Sequence, residues 1–263
     1  MRSSAKLYPI ALLALGIASV AGCGAKDTAR GPEPDPVPRS GDIRFFNAIA
    51  DAPDLVAFLN GSPTEPVPFG LVVSRDGSIV GRYRIDVGYL DAQNDFVPIV
   101  DDLNIELYED HERTVLVDGT LANPSFTIIE NEEFLFGLKG APVLDPEVQF
   151  VNAAAAAGVL EFHLTAPAAV LGSATAVLDF EGRTEITSVP PGDYQLRITP
   201  AGQPNTVLYD SGTFPLSTTS RTTFFAINYV GPGGAGVRIV RVNNFGLVQL
   251  FNNDALPTAL RFG

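Results

Sequence analysis

Ile43-Arg44-Phe45-Phe46-Asn47-Ala48 is the phrase that decides the fold, because it returns as Val148-Gln149-Phe150-Val151-Asn152-Ala153 and again as Val248-Gln249-Leu250-Phe251-Asn252-Asn253. Each copy is a largely apolar, β-favouring run with asparagine at its fifth place, the composition of a strand entering a loop. The copies start at residues 43, 148 and 248, a domain-sized spacing rather than the ~20–50 residues of a solenoid. A chain of 263 residues accommodates two such repeats, each large enough to bury its own core.

Outward from the phrase, the first repeat (42–145) turns through Asp51-Ala52-Pro53-Asp54 and resumes at Leu55-Val56-Ala57-Phe58-Leu59 before Asn60-Gly61. Asn-Gly between apolar runs is a hairpin signal, since both residues accept positive φ. The second repeat (146–263) follows the same path with Val159-Leu160-Glu161-Phe162-His163-Leu164, but turns through four alanines and Gly158. Tyr83, Ile85 and Val87 alternate with charged residues, Tyr194, Leu196 and Ile198 alternate with polar ones, and Leu103, Ile105 and Leu107 do likewise. That period of two predicts half-buried antiparallel strands. Arg113-Thr114-Val115-Leu116-Val117 and Arg221-Thr222-Thr223-Phe224-Phe225 are nearly continuous apolar runs and predict strands covered on both faces. Many short strands separated by turn residues predict an all-β fold of two tandem β-sandwich domains. The third phrase arrives too close to Gly263 to begin a domain, yet Leu260-Arg261-Phe262 echoes Val56-Ala57-Phe58. The expectation is a closing C-terminal hairpin, added to an edge of the second domain or bridging the two domains, that satisfies backbone groups an edge strand leaves open.

The beginning of the chain predicts its address. Residues 1–6 carry Arg2 and Lys6, residues 7–20 are apolar, and Val20-Ala21-Gly22-Cys23 closes the run with small residues before the only cysteine. This is the layout of a secretory signal, too short for a comfortable membrane span. It resembles the bacterial lipoprotein signal, which implies cleavage after Gly22, acylation of Cys23 (a palmitate-type chain on sulfur and a further chain on the new amino group) and, with Gly24 rather than an aspartate next, an outer-membrane destination. Residues 23–41 include Gly31-Pro32-Glu33-Pro34-Asp35-Pro36-Val37-Pro38. Alternate prolines hold such a linker extended, and at ~3.1 Å per residue it reaches roughly 50 Å from the lipid.

Two stretches carry a second resemblance. Arg44-Phe45-Phe46-Asn47-Ala48 with Asp51-Ala52-Pro53 and Val56-Ala57-Phe58-Leu59-Asn60-Gly61, and later Pro191-Gly192-Asp193-Tyr194-Gln195-Leu196-Arg197-Ile198-Thr199-Pro200-Ala201-Gly202, are similar to the signature segments of the bacterial domain-of-unknown-function family four-three-nine-seven. The resemblance implies exported, often lipid-anchored immunoglobulin-like sandwiches in tandem, and supplies no catalytic residues to carry over.

Chemistry is sparse. The formal net charge is −13, a sign that repels phosphate backbones and excludes nucleic acid as a partner class. A lone cysteine excludes an intrachain disulfide. Nucleophilic catalysis needs a base beside a positioned hydroxyl or thiol, and the two histidines, His111 and His163, stand in no nucleophile motif. His111 is expected in a solvated loop and His163 on an outward or edge strand position. Calcium asks only for loop oxygens, and Asp91, Asn94, Asp95, Asp101 and Asp102 are the candidates of that type, with turn formation as the plainer role. Asn47, Asn152 and Asn252 are expected to bond nearby backbone at strand ends. No cofactor is implied. The composite expectation is a non-catalytic envelope lipoprotein that displays two domains for protein binding or adhesion, with a passive spacer or an envelope hydrolase as the other readings.

Overall fold

A computed structural model describes residues 39–132, 144–229, 236–243, 248–250 and 253. The signal segment, Cys23, the proline run, Asn252 and Leu260-Arg261-Phe262 lie outside the described residues. Among the described residues the chain is all-β. The first repeat contains β1 (Ser40–Asn47), β2 (Leu55–Leu59), β3 (Ser62–Pro63), β4 (Val72–Ile79), β5 (Gly81–Leu90), β6 (Phe96–Leu107), β7 (His111–Thr120) and β8 (Asn123–Glu132). The second contains β9 (Glu147–Ala153), β10 (Leu160–Thr165), β11 (Ala176–Leu178), β12 (Thr187–Ser188), β13 (Gly192–Pro200), β14 (Tyr209–Leu216), β15 (Arg221–Asn228), β16 (Val237–Asn243) and β17 (Val248–Leu250).

Both repeats follow one pairing diagram. Sheets β4-β1-β7-β8 and β3-β2-β5-β6 correspond to β12-β9-β15-β16-β17 and β11-β10-β13-β14. In each, the opening phrase runs parallel to a later strand in the same register, Phe45 beside Val115 and Phe150 beside Phe224. Asn60 and Gly61, at φ 48° and 82°, make the tight turn between β2 and β3, as Asn-Gly predicts.

Three apolar clusters order the sheets. Ile43, Phe45, Leu55, Ile85 and Ile105 fill the first repeat between its two sheets. Phe150, Phe162, Leu196, Ile198 and Phe224 do the same in the second. The third cluster joins Phe46, Leu116 and Ile129 of the first repeat to Val151, Phe225 and Val240 of the second. It draws on the two phrase-bearing sheets alone, so these face each other across a seam and the layers run outer, inner, inner, outer. Side chains alternate along a strand, which is why adjacent Phe45 and Phe46 serve different clusters and why these strands read as continuous apolar runs. Phe46 and Phe225 meet edge to face, centroids 4.7 Å apart, a geometry worth about 0.5–1.5 kcal/mol beyond simple burial.

The third phrase lies on a sheet edge. β17 pairs antiparallel with β16, Val248 opposite Val242 and Leu250 opposite Val240. Three residues on, the Asn253 Oδ1 accepts the Asp210 N–H at 3.0 Å and its Nδ2 donates to the Leu208 carbonyl at 2.9 Å. A short piece of tail thus satisfies backbone groups on the margins of both sheets of the second repeat.

Candidate functional site

The acidic candidates separate into two structures. Asp91 Oδ1 accepts the N–H groups of Gln93 and Asp95, both at 2.9 Å, and Asn94 is left-handed at φ 70°. Asp91, Asn94 and Asp95 therefore shape the β5–β6 turn in the manner of aspartate and asparagine generally. Asp101 and Asp102 sit on β6, where the register with β5 slips and Asp102 takes φ 55°. They are joined by Asp86, which the sequence alone does not single out, so that three carboxylates offer oxygens within 4.8 Å of one another.

That triad is already partnered. The Arg84 guanidinium lies 2.7 Å from Asp102, 3.3 Å from Asp86 and 3.4 Å from Asp101. The Asp102 N–H, donating to Asp86 at 2.9 Å, is the largest influence holding the Asp86 carboxyl below its usual range, and the bond that the Arg84 guanidinium donates to Asp86 is the largest raising Arg84. The guanidinium supplies the positive charge that a metal ion would bring. Set on an edge strand beside Pro98, the bulge and its charges act against pairing with another chain. Arg84 and Asp86 share one face of β5 by the period of two; only the β5–β6 register brings Asp101 and Asp102 to them.

His163 corrects the sequence expectation. β10 runs between β11 and β13, and the side chain does turn away from the core, yet it is 1% exposed. The segment after β10 is tied over this face: Arg197, beside His163 in the β10–β13 register, donates to the Ala169 carbonyl at 2.5 Å as well as to Thr165 Oγ1 at 2.9 Å. Burial lowers the His163 pKa against the pull of Glu161. Its Nε2 stands 3.3 Å from Thr199 Oγ1 and 3.6 Å from Glu161, and Thr199 donates to Glu161 at 3.2 Å. Glu161 is itself held low, first by the Gly202 N–H. Carboxylate, imidazole and hydroxyl are the ingredients of nucleophilic catalysis, but here Thr199 is 0% exposed.

His111 is also corrected. Rather than standing in a loop it opens β7 opposite Glu132, half-buried, with Nδ1 at 2.7 Å from the Glu109 carbonyl and its ring against Tyr108. The asparagines behave as expected where described. Asn47 accepts the Ile49 N–H at 3.0 Å and donates to the Val67 carbonyl at 2.9 Å. Asn152 accepts the Ala154 N–H at 3.1 Å and donates to the Gly158 and Leu178 carbonyls at 2.9 and 3.1 Å.

The seam itself carries the densest polar chemistry. Arg44, 3% exposed, pairs with Glu112 at 2.6 Å. At the corresponding place Gln149 donates to the Thr184 carbonyl at 3.0 Å and accepts from Asn131 and Thr223, each at 3.4 Å. Beside it opens a cleft of about 370 Å³ lined by Glu130, Glu147, Gln149, Arg183, Glu185 and Arg221 among others. Arg221 is spent on Glu147 at 2.8 Å, Arg113 on Glu130 at 2.7 Å, and Arg183 on the Ile128 carbonyl of edge strand β8 at 2.8 Å.

At the far end of the seam lies Asp118, 0% exposed, with neither carboxylate oxygen hydrogen-bonded. Burial first, and the negative Glu181 second, raise its pKa to about 7. The only sequence signal was one acid directly after the apolar run Val115-Leu116-Val117. Comparison with family models and with curated protein sequences returned no match for this chain.

Proposed function

We propose that this chain is a non-catalytic envelope lipoprotein, anchored through acylated Cys23 in the outer membrane, whose two immunoglobulin-like sandwiches of the four-three-nine-seven family are displayed for protein binding. One observation carries the reading: the shared apolar seam fuses the two repeats into a single four-layer body. With stacked sheets about 10 Å apart, the two outer sheets are held roughly 30 Å from each other, a fixed spacing suited to presenting surfaces. The covered His163 and the Arg84-paired carboxylates fit display better than catalysis. The signal layout, Cys23 and the proline run support anchoring on a stalk.

Protease shaving of intact cells tests the address. Surface display predicts cleavage of the unsubstituted protein and loss of membrane association in Cys23→Ala; a membrane-bound Cys23→Ala variant defeats the anchor. A photo-crosslinking residue at Val177, 57% exposed on β11, tests binding against passive spacing. Adducts to another protein support binding, and their absence there and at Ile79, 63% exposed on β4, supports a spacer.

A further inference from the structure

Two places on the seam are equivalent in the two repeats and are built differently. Phe46 pairs with Leu116 as Val151 pairs with Phe225, so two residues further along each strand Asp118 corresponds to Ile227. Both are 0% exposed. Ile227 belongs to the shared apolar cluster, whereas Asp118 presents two unbonded carboxylate oxygens at that place.

The neighbouring backbone repeats the contrast. The Gly70 N–H donates to the Asn47 carbonyl at 2.7 Å, and the Glu181 N–H donates to the Asn152 carbonyl at 2.8 Å. Both residues are left-handed, at φ 76° and 64°, a conformation free for glycine and costly for glutamate. A Cβ on Gly70 would come 3.3 Å from Ile227 Cδ1. One place therefore sets glycine against isoleucine, and the other sets glutamate beside a buried aspartate, with Ser125 opposite Asp118 in the β7–β8 register and bonded to Glu181. Two local rules are broken at one place, which is where a function other than stability is expected.

We propose that Asp118 and Glu181 form an acid latch on the seam, closed while Asp118 carries a proton and sprung as it ionises, so that the repeats loosen at this end as pH rises. No cation offsets the charge among the described residues. The segment carrying Glu181 also carries Arg183, which is committed to the Ile128 carbonyl. β8 contributes Ser125, whose Oγ donates to Glu181. The shared cluster on this face, Ala48, Ala153 and Phe225 among its residues, is apolar. A buried carboxylate without hydrogen bonds is strongly disfavoured, and a second carboxylate beside it compounds the cost. The proton comes from solvent, so ambient pH alone sets the latch.

Amide hydrogen exchange on the full chain in detergent, corrected for intrinsic exchange, reads the seam directly at Leu116 and Phe225. Protection there is expected to fall about tenfold between pH 6 and 8, the order of change that ionisation of one shifted group imposes, and to stay level in Asp118→Asn. Unchanged protection in the unsubstituted chain, or an undiminished response in Asp118→Asn, overturns the latch. If Asp118→Asn does not fold, Glu181→Gln, which alters an exposed side chain, carries the test. The response should then shrink and its midpoint move to lower pH, and an unmoved midpoint overturns the proposal.

Discussion

Arg44 in the first repeat and Gln149 in the second stand at the same place on the shared face, each 3% exposed, and each sits beside a threonine of the partner strand, Thr114 and Thr223. Arg44 answers a carboxylate, Glu112, at 2.6 Å; Gln149 answers a backbone carbonyl and two neutral side chains. Their apolar neighbours are interchangeable in kind, Phe46 and Leu116 against Val151 and Phe225. The apolar residues make the faces sticky, while the polar ones make them different. Two identical faces would pair with themselves as readily as with each other, so asymmetric polar groups in an otherwise repeated interface favour one arrangement over the alternatives.

The comparison breaks most visibly at Arg44. Arg44→Ala breaks a largely buried ion pair and is expected to cost about 3–5 kcal/mol, against about 1–3 kcal/mol for Gln149→Ala, which removes neutral hydrogen bonds. Urea denaturation measures both, and equal costs would erase the distinction between the charged and neutral halves of the face.

Next in size is the pH dependence of Asp118. Its folded pKa of about 7 lies above the unfolded 3.8, so between those values the folded state holds a proton that the unfolded state has released. Stability from this group is therefore full below about pH 4, declines as pH rises, and is lost by about pH 7, a total of up to about 4 kcal/mol. The difference in unfolding free energy between the unsubstituted chain and Asp118→Asn, followed from pH 4 to 8, isolates that contribution. His163 works in the opposite sense. Its pKa is lowered by burial, so its neutral form supports the fold at higher pH, and that support is lost as pH falls below the ordinary histidine range.

Smaller effects sharpen the remaining equivalences. Asn152→Ala removes three hydrogen bonds to backbone and should cost about 2–3 kcal/mol, somewhat more than Asn47→Ala with two. Gly70→Ala, which needs φ 76° and a yielding Ile227, is expected to cost about 1–2 kcal/mol. Thermal unfolding ranks these variants. Arg84→Ala, on an exposed cluster, should leave the thermal unfolding midpoint nearly unchanged, because solvent screens exposed ion pairs. Calcium should leave calorimetric traces of the unsubstituted chain flat, because the Arg84 guanidinium already reaches all three carboxylates of the triad. Heat released on titration would show that the ion displaces the guanidinium.

Several structural features are legible in the chain before any coordinates. The period of two places Tyr83, Ile85 and Val87 on one face, Asn60-Gly61 makes its turn, and the strand-end asparagines bond backbone, because each depends on residues close in sequence. The apolar runs around Val115 and Phe224 announce strands covered on both sides. They do not say by what, since a hydrophobic face is non-directional and accepts any apolar partner.

Pairing register and layer order were decided by the tertiary structure. Asp86 meets Asp101 and Asp102 only through the bulged register of β5 with β6, and His163 is buried only because the segment following β10 is tied over its face. Asp118 and Glu181 come from different repeats. An unsheltered Asp118 would be an ordinary surface acid, and its chemistry exists only because the seam removes it from water. By itself the sequence determined the all-β character and the repeated phrase, since local periodicity and turn chemistry suffice for both. Which faces meet, and which charges are buried when they do, only the packed structure decided, because long-range register and desolvation leave no local imprint on the chain.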